Sequence, residues 1–521
     1  MHRAFSSSLI LAAGLVLGLG AAAAGCSLGN VAHDDCKGDG ECTSLFGLGS
    51  KCQAGFCTSP PACKSGHDCQ RRNGGGACVD GLCTATLPKD PTCTVFEPED
   101  LYDRSAIGDD ARLILGGIFS LEEDFDQAQT KAVRLAIREM NRSGKGIAGR
   151  EFGVVFCDNG GPGNMAEGAP REALNRHALD YLSGTLGVPA LVGPLSSRDA
   201  TTLIDHLVKQ QYPTVIISPS ATSPSLSAPN DKLDEKDALG LFWRTCPSDE
   251  LQGKVLGGEI GNDATIAKVD VIYLQDPYGE GLATVFQATF PRTTVLKPFT
   301  IDTDSGLIND LTKIASAANA DKPDAVLVIA VQASDTVAIL KELAKLPIKE
   351  KKFFFTDGSK DASKLLDPKL PPDVQSIILA SEGTAPAAPQ GANYNLFKTN
   401  LDTDFGLDAD SFSFLAQSYD ATYCVAYGAL YAETASKAYD GRLVAEGLSR
   451  LSAGPIVNIA PTEWANGKAA ITSGSRQMNI KGTSGDLDFD PAKGEAPGPI
   501  EIWTVAPDLK SFLKKTTVTP N

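Results

Sequence analysis

The chain has 521 residues, more than the ~100–200 of one domain, and its 42% hydrophobic and 21% charged residues can build an ordinary buried core. The formal net charge of −17, from 47 basic and 64 acidic residues, argues against nucleic acid as a partner, because phosphate binding needs clustered Lys and Arg. Five histidines leave little material for His-based metal or general-base chemistry, and ten of the 13 cysteines lie from Cys26 to Cys93.

The chain opens with Arg3, an apolar run from Leu9 to Ala24 and small residues before Cys26. This is the layout of a secretory signal peptide over residues 1–25. The run is shorter than the ~20 apolar residues that a spanning helix needs. Ala23-Ala24-Gly25-Cys26 resembles a bacterial lipobox, which implies a lipid on Cys26; plain secretion is the competing reading. Setting Cys26 aside leaves 12 cysteines, an even number that suits disulfides and favours the lipid. By the same resemblance, Ser27 in place of Asp implies passage to the outer membrane. An exported, lipid-anchored protein of the periplasm or outer membrane is expected, with residues 26–35 as its tether.

Residues 36–93 form a duplicated cysteine-rich module. Cys36-x5-Cys42-x9-Cys52-x4-Cys57 is followed by Cys63-x5-Cys69-x8-Cys78-x4-Cys83, and Gln53-Ala54-Gly55-Phe56 is echoed by Val79-Asp80-Gly81-Leu82. With few large apolar side chains, such a segment is held by disulfides in an oxidising compartment. Zinc is the competing reading, weakened by the lack of any Cys-x2-Cys pair. The module resembles the EGF-like or Dickkopf-like knots of bacterial surface lipoproteins, which implies a spacing or contact role. The pairing of its cysteines stays open. Residues 94–110 read as a linker.

From residue 111 the pattern turns to strand–helix alternation. Arg112–Ser120, Glu151–Cys157, Ala190–Gly193 and Thr214–Ser218 read as strands, separated by helices at Gln127–Met140, Arg171–Leu182 and Ala200–Lys209. A second series of strands runs through Lys268–Gln275, Asp324–Ala330 and Lys352–Thr356. Alternation of this kind builds α/β units with parallel sheets covered on both faces. Ligands of such sheets sit beyond the carboxyl ends of the strands.

The loops at those ends carry a resemblance. Val192-Gly193-Pro194-Leu195-Ser196-Ser197 follows one strand, and Ser218-Pro219-Ser220-Ala221-Thr222-Ser223-Pro224-Ser225-Leu226 follows the next. Phe242-Trp243-Arg244-Thr245 leads to Ser248-Asp249; Tyr278-Gly279-Glu280-Gly281-Leu282-Ala283 opens a helix, and Phe355-Thr356-Asp357-Gly358 ends a strand. Ile480-Lys481-Gly482-Thr483-Ser484-Gly485 runs on to Leu487-Asp488-Phe489. Together these resemble the type I periplasmic binding proteins of the leucine/isoleucine/valine-binding family, which also supplies receptor ligand-binding regions. The resemblance implies a two-lobed clamshell crossed three times by the chain: lobe 1 at 111–250 and 383–455, lobe 2 at 251–382 and 456–521.

It also implies the site. Ser197 falls at the serine that holds a ligand α-carboxylate, and its place before a helix suits an anion independently. Ser220 and Thr222 match the loop that completes carboxylate binding. Asp357 falls where an acid meets the ligand ammonium, Tyr278 where an aromatic closes over the ligand, and Phe125 where another aromatic often stands. Gln332 and Ala333 lie in the side-chain pocket region, which varies in the family. No cofactor or metal is implied.

Cys93, Cys157, Cys246 and Cys424 remain, with Cys93–Cys157 the preferred pair and buried free thiols the alternative. The chain has no Gly-x-Ser-x-Gly, His-Glu-x-x-His or Gly-x4-Gly-Lys-Ser/Thr motif, and Asp158-Asn159-Gly160-Gly161-Pro162-Gly163 lacks a lysine, so no enzyme is expected. The expected function is capture of an amino acid, branched-chain or similar, for uptake through an ABC-type permease. The alternative is a sensory or surface-interaction lipoprotein of the same fold.

Overall fold

In the computed structural model, residues 36–519 are described, apart from 109–110, 145, 161–169, 303–304, 388–390 and 437–438. The leader, Cys26, Ser27, the tether, and Gly161, Pro162 and Gly163 lie outside the described residues. The cysteine duplication becomes two copies of one small unit. Helix α1 (Asp39–Phe46) precedes strands β1 (Lys51–Gln53) and β2 (Phe56–Thr58); α2 (Gly66–Asn73) precedes β3 (Ala77–Val79) and β4 (Leu82–Thr84). Ala54-Gly55 and Asp80-Gly81 turn the two hairpins, all four residues having positive φ, as a two-residue turn that matches strand twist requires. Each copy pairs its first cysteine with its third and its second with its fourth: Cys36–Cys52 and Cys42–Cys57, then Cys63–Cys78 and Cys69–Cys83. The close triads Cys36, Cys42, Cys57 and Cys63, Cys69, Cys83 are therefore bonded sulfurs rather than zinc ligands.

The segment expected as a linker belongs to the first lobe. Strand β5 (Val95–Glu97) is antiparallel to β7 (Phe152–Asp158), and the Cys93–Cys157 disulfide fastens it there. Cys246 and Cys424 are buried free thiols. Beside β7 runs β6 (Leu113–Phe119), followed by α3 (Asp124–Arg142); α4 (Pro170–Leu179), α5 (Ser197–Gln210) and strands β8 (Ala190–Val192), β9 (Val215–Ser218) and β10 (Phe242–Arg244) complete this half. The sheet order is β10-β9-β8-β6-β7-β5, parallel except for β5. Its central strands are buried on both faces, which is why they read as continuous apolar runs.

After β10 the chain crosses to the second lobe through α6 (Asp249–Gly261), β11 (Lys268–Leu274), α7 (Pro277–Thr289), β12 (Thr293–Phe299), α8 (Leu311–Asp321), β13 (Ala325–Ile329), α9 (Ala333–Leu343), β14 (Lys352–Phe355), α10 (Ala362–Leu365), α11 (Pro372–Leu379) and β15 (Glu382–Pro386). It returns through α12 (Ala392–Phe405), α13 (Leu415–Ser436), α14 (Gly441–Leu448), β16 (Ile456–Asn458), α15 (Trp464–Thr472) and β17 (Asn479–Lys481), then crosses a third time to β18 (Ile500–Val505) and β19 (Phe512–Val518). The second sheet is β12-β11-β13-β14-β15-β18-β19, its last two strands antiparallel. Two boundaries shift from expectation. Strand β15 reaches Pro386 within lobe 2, and the 456–490 segment packs on lobe 1, where Trp464 meets Tyr423 edge-on and Tyr427 at a tilt, both of α13. Lobe 2 regains the chain only near Ile500. Among the described residues no helix is long and apolar enough to cross a membrane.

The cysteine module is seated on lobe 1. The His67 imidazole is buried, with Nε2 3.2 Å from Ser183 Oγ and 3.1 Å from Thr214 Oγ1. Burial pushes its pKa down to about 3, so the ring is neutral at the contact. Gly66 lies against the turn before β8, where an added Cβ would come within 2.3 Å of the Gly187 nitrogen. Only glycine permits that approach, and Gly187 itself has φ +69°. Gly66→Val is expected to unseat the module at about 1–3 kcal/mol of overpacking, measurable as a lower Tm and faster proteolysis of the module's chain. An unchanged Tm and digestion pattern would disprove the seat.

Candidate ligand-binding cleft

The carboxyl ends of the two sheets face each other across a cleft. Lobe 1 lines it with Glu123, Phe125 and Asp126 after β6, Arg171 of α4, Leu195, Ser196 and Ser197 after β8, Ser220 after β9, and Phe414 before α13. Lobe 2 contributes Tyr278 of α7, Val331 to Ser334 after β13, and Asp357, Gly358, Asp361 and Lys364 after β14. The cleft is partly open to solvent. The lobes are closed on it. Arg198 Nη2 donates to the Gln275 carbonyl at 3.1 Å, Ser223 Oγ to the Pro277 carbonyl at 2.7 Å, and Lys364 Nζ to Asp124 at 3.0 Å.

Five of the six expected ligand residues meet here: Phe125, Ser197, Ser220, Tyr278 and Asp357. Their roles are sharper than expected. The cap of α5 is Ser196, whose Oγ accepts from the Asp199 N–H at 3.1 Å. Ser197 is the first helical residue; its Oγ accepts from the Ser223 N–H at 3.1 Å, and among the described residues no acceptor takes its hydroxyl proton. That proton and the first N–H groups of a 14-residue helix make an anion-favouring end. Ser220 Oγ donates to the Leu195 carbonyl at 2.8 Å, which leaves only its lone pairs for a ligand. Thr222 is outside the lining. Its hydroxyl is turned away and donates to Asp249 Oδ2 at 2.8 Å, so it supports an acid instead of touching a ligand.

The opposite wall is built for a cation. Asp357, 4% exposed, accepts at Oδ1 from Gln252 Nε2 at 2.6 Å and lies 2.8 Å from the Tyr278 hydroxyl. Among the described residues Oδ2 has no hydrogen-bond partner. Burial raises the Asp357 pKa. Burial, then the charge of Asp357, raises that of Asp249 well above the carboxylate range. A positive group brought into the cleft would favour the ionised form of this pair. Phe125 meets Phe412 edge-on, centroids 6.0 Å apart, and forms an apolar wall.

Sequence reasoning did not single out Gln252, Asp249, Asp126 or Arg171. Asp249 and Gln252 share one face of α6, three residues apart in its first turn, and that spacing was the available signal. Arg171 is buried and grips Asp199 through Nε and Nη2 at 2.7 to 3.0 Å while Nη1 donates to the Gly160 carbonyl at 2.6 Å. At the hinge, the fully buried Arg244 donates through Nη1 to the carbonyls of Ala221 and Ser223 at 3.0 and 2.9 Å and pairs with Glu495.

Burial also pushes Asp126 and Asp335 up to about 7, the latter assisted by the charge of Glu123. The folded chain thus holds protons near neutral pH that unfolded carboxylates have released, so its stability falls as pH rises through 7. The Tm of the ligand-free chain is expected to drop by a few degrees between about pH 6.5 and about pH 8, and Asp126→Asn to flatten that slope. A Tm that rises over this range would contradict the burial of these acids.

The chain matches the family model described as receptor family ligand binding region over residues 128–508. It is 27% identical over 168 residues to Leu/Ile/Val-binding protein homolog 3 of Brucella melitensis, a match covering 32% of this chain and 40% of that one. It is 25% identical over 165 residues to the leucine-, isoleucine-, valine-, threonine- and alanine-binding protein of Pseudomonas aeruginosa, covering 32% and 39%. These matches thus span about two fifths of the relatives' own length. Among solved structures it resembles the branched-chain amino acid transporter substrate-binding protein LivJ of Streptococcus pneumoniae in complex with isoleucine, with a TM-score of 0.57 at 18% identity over 78% of this chain and 99% of that one. It also resembles an ABC-transporter solute-binding protein of Rhodopseudomonas palustris in complex with 3,4-dihydroxybenzoic acid, with a TM-score of 0.56 at 15% identity over 79% and 98%. The chain belongs to the receptor ligand-binding-region family, whose model spans most of it.

Proposed function

We propose that this member of the receptor ligand-binding-region family captures an α-amino acid between its lobes. The carrying observation is the opposition of the Ser197 end of α5, which offers donors, to Asp357 Oδ2, a buried acceptor without a protein donor. An α-carboxylate fits the first and an α-ammonium the second. Similar folds hold branched-chain amino acids in some cases and aromatic acids in others. Asp357 favours the amino acid, since an aromatic acid brings no cation to it. Tyr278 and Phe125 cover the ligand, Ser220 faces it with lone pairs, and Thr222 acts through Asp249.

Ligand binding shifts the lobes toward the closed form, which a partner then reads. In the first reading the partner is an ABC-type permease, reached by a chain exported and anchored through lipid on Cys26 in the periplasm or at the outer membrane. The second reading is a sensory or surface lipoprotein, favoured by the cysteine module seated on lobe 1.

Calorimetry of the purified full chain against the twenty amino acids and benzoate tests the ligand. One or more α-amino acids should bind and benzoate should not. Asp357→Asn keeps an acceptor for Gln252 and Tyr278 but removes the charge. It is expected to weaken amino-acid binding by about 100-fold while leaving the ligand-free Tm unchanged or higher, as repulsion from Asp249 is relieved. A large Tm loss with binding retained would make Asp357 structural.

A further inference from the structure

The cleft is lined by more negative charge than one ammonium balances. Four acids face it: Glu123 and Asp126 from lobe 1, Asp357 and Asp361 from lobe 2. The two lining cations are already matched by acids set behind the wall, Arg171 by Asp199 and Lys364 by Asp124. No lining acid has an ion-pair partner within 4 Å among the described residues.

Asp126 is the informative member. It is 7% exposed, and Oδ2 accepts from the Ser120 N–H at 2.7 Å. Oδ1 has no donor among the described residues, although the side chain borders the cavity. The Glu123 side chain, half-buried three residues earlier, has no hydrogen-bond or ion-pair partner for its carboxylate among the described residues. In Asp361, Oδ1 accepts from the Ser363 N–H and hydroxyl, and the Lys364 N–H also faces the carboxylate. Together with Asp357 Oδ2, these acids offer more open oxygens than the three N–H donors of one ammonium can fill. A neutral aliphatic side chain would bury them unpaired, at a desolvation cost.

We infer that the cleft takes an α-amino acid whose side chain carries a second cation, of the lysine, ornithine or arginine kind, held by Glu123 and Asp126. This rests on the amino-acid reading above, with the α-ammonium at Asp357. The stem of such a side chain is apolar and suits Phe125, Leu195 and Phe414 in the same lining.

The purified full chain is titrated with L-leucine, L-lysine and L-arginine at a pH slightly above 7. Lysine or arginine is expected to bind at least about tenfold more tightly than leucine. Glu123→Gln and Asp126→Asn should each erase about tenfold of that preference. Glu123 has no partner to lose, so its variant remains decisive if Asp126→Asn folds poorly. Leucine binding as tightly as lysine and arginine, or more tightly, overturns this inference and leaves the amino-acid reading standing. Failure of all twenty amino acids to bind overturns that reading and this one with it.

Discussion

One buried guanidinium holds the junction on which the cleft depends. Arg244 ends the last strand of the lobe 1 sheet, and its side chain is wholly enclosed. It fixes the carbonyls of Ala221 and Ser223, in the loop beside Ser220, and it pairs with Glu495 just before the third crossing. Thr245, next in the chain, donates to the Gln417 carbonyl of α13 at 2.9 Å. A buried ion pair of this kind adds little net stability, because desolvation offsets attraction. What it supplies is registration: ligand loop, first crossing and third crossing cannot move independently. The hinge can then rotate without loosening the binding loop.

The cleft acids follow a related logic. Burial at the mouths of two apolar sheets raises the pKa of these acids, and a cation brought against them favours their ionised form. Asp249 and Asp357 form the tightest such pair, with Thr222, Gln252 and Tyr278 as donors that orient them. Closure brings these acids under the lobe 1 serines. In the proposed reading binding and closure are coupled, since the Ser197 donors and the Asp357 acceptor come from different lobes.

Much of this was legible in the sequence. Strands buried on both faces declared themselves as apolar runs, and β6, β7, β9, β11, β13 and β14 lie where those runs stand. In the two lobes β5, β10, β12, β15, β16, β17, β18 and β19 went unseen: β5, β10, β16 and β17 have three residues each, β12 and β19 are partly or largely exposed along their length, and β15 and β18 are buried strands outside the strand–helix alternation. Serines and acids at strand ends were visible for the same topological reason. Ser196 and Ser197 could not be told apart as the cap, because that choice is made by Asp199 two or three residues on. Gln252 escaped because its role is set by Asp357, 105 residues away. Thr222 looked like a ligand residue because its loop is right, but only its buried acid partner shows where its hydroxyl points.

The seat of the cysteine module has a mechanical consequence. His67 and Gly66 contact lobe 1 near the amino ends of β8 and β9, the pole opposite the cleft. Five disulfides run in series from Cys36 to β7, so traction on the amino-terminal side enters lobe 1 as through a rigid bracket. It reaches lobe 2 only through the crossings. Lobe 1 is therefore the braced half of the clamshell, and lobe 2 is joined to that brace only through the crossings.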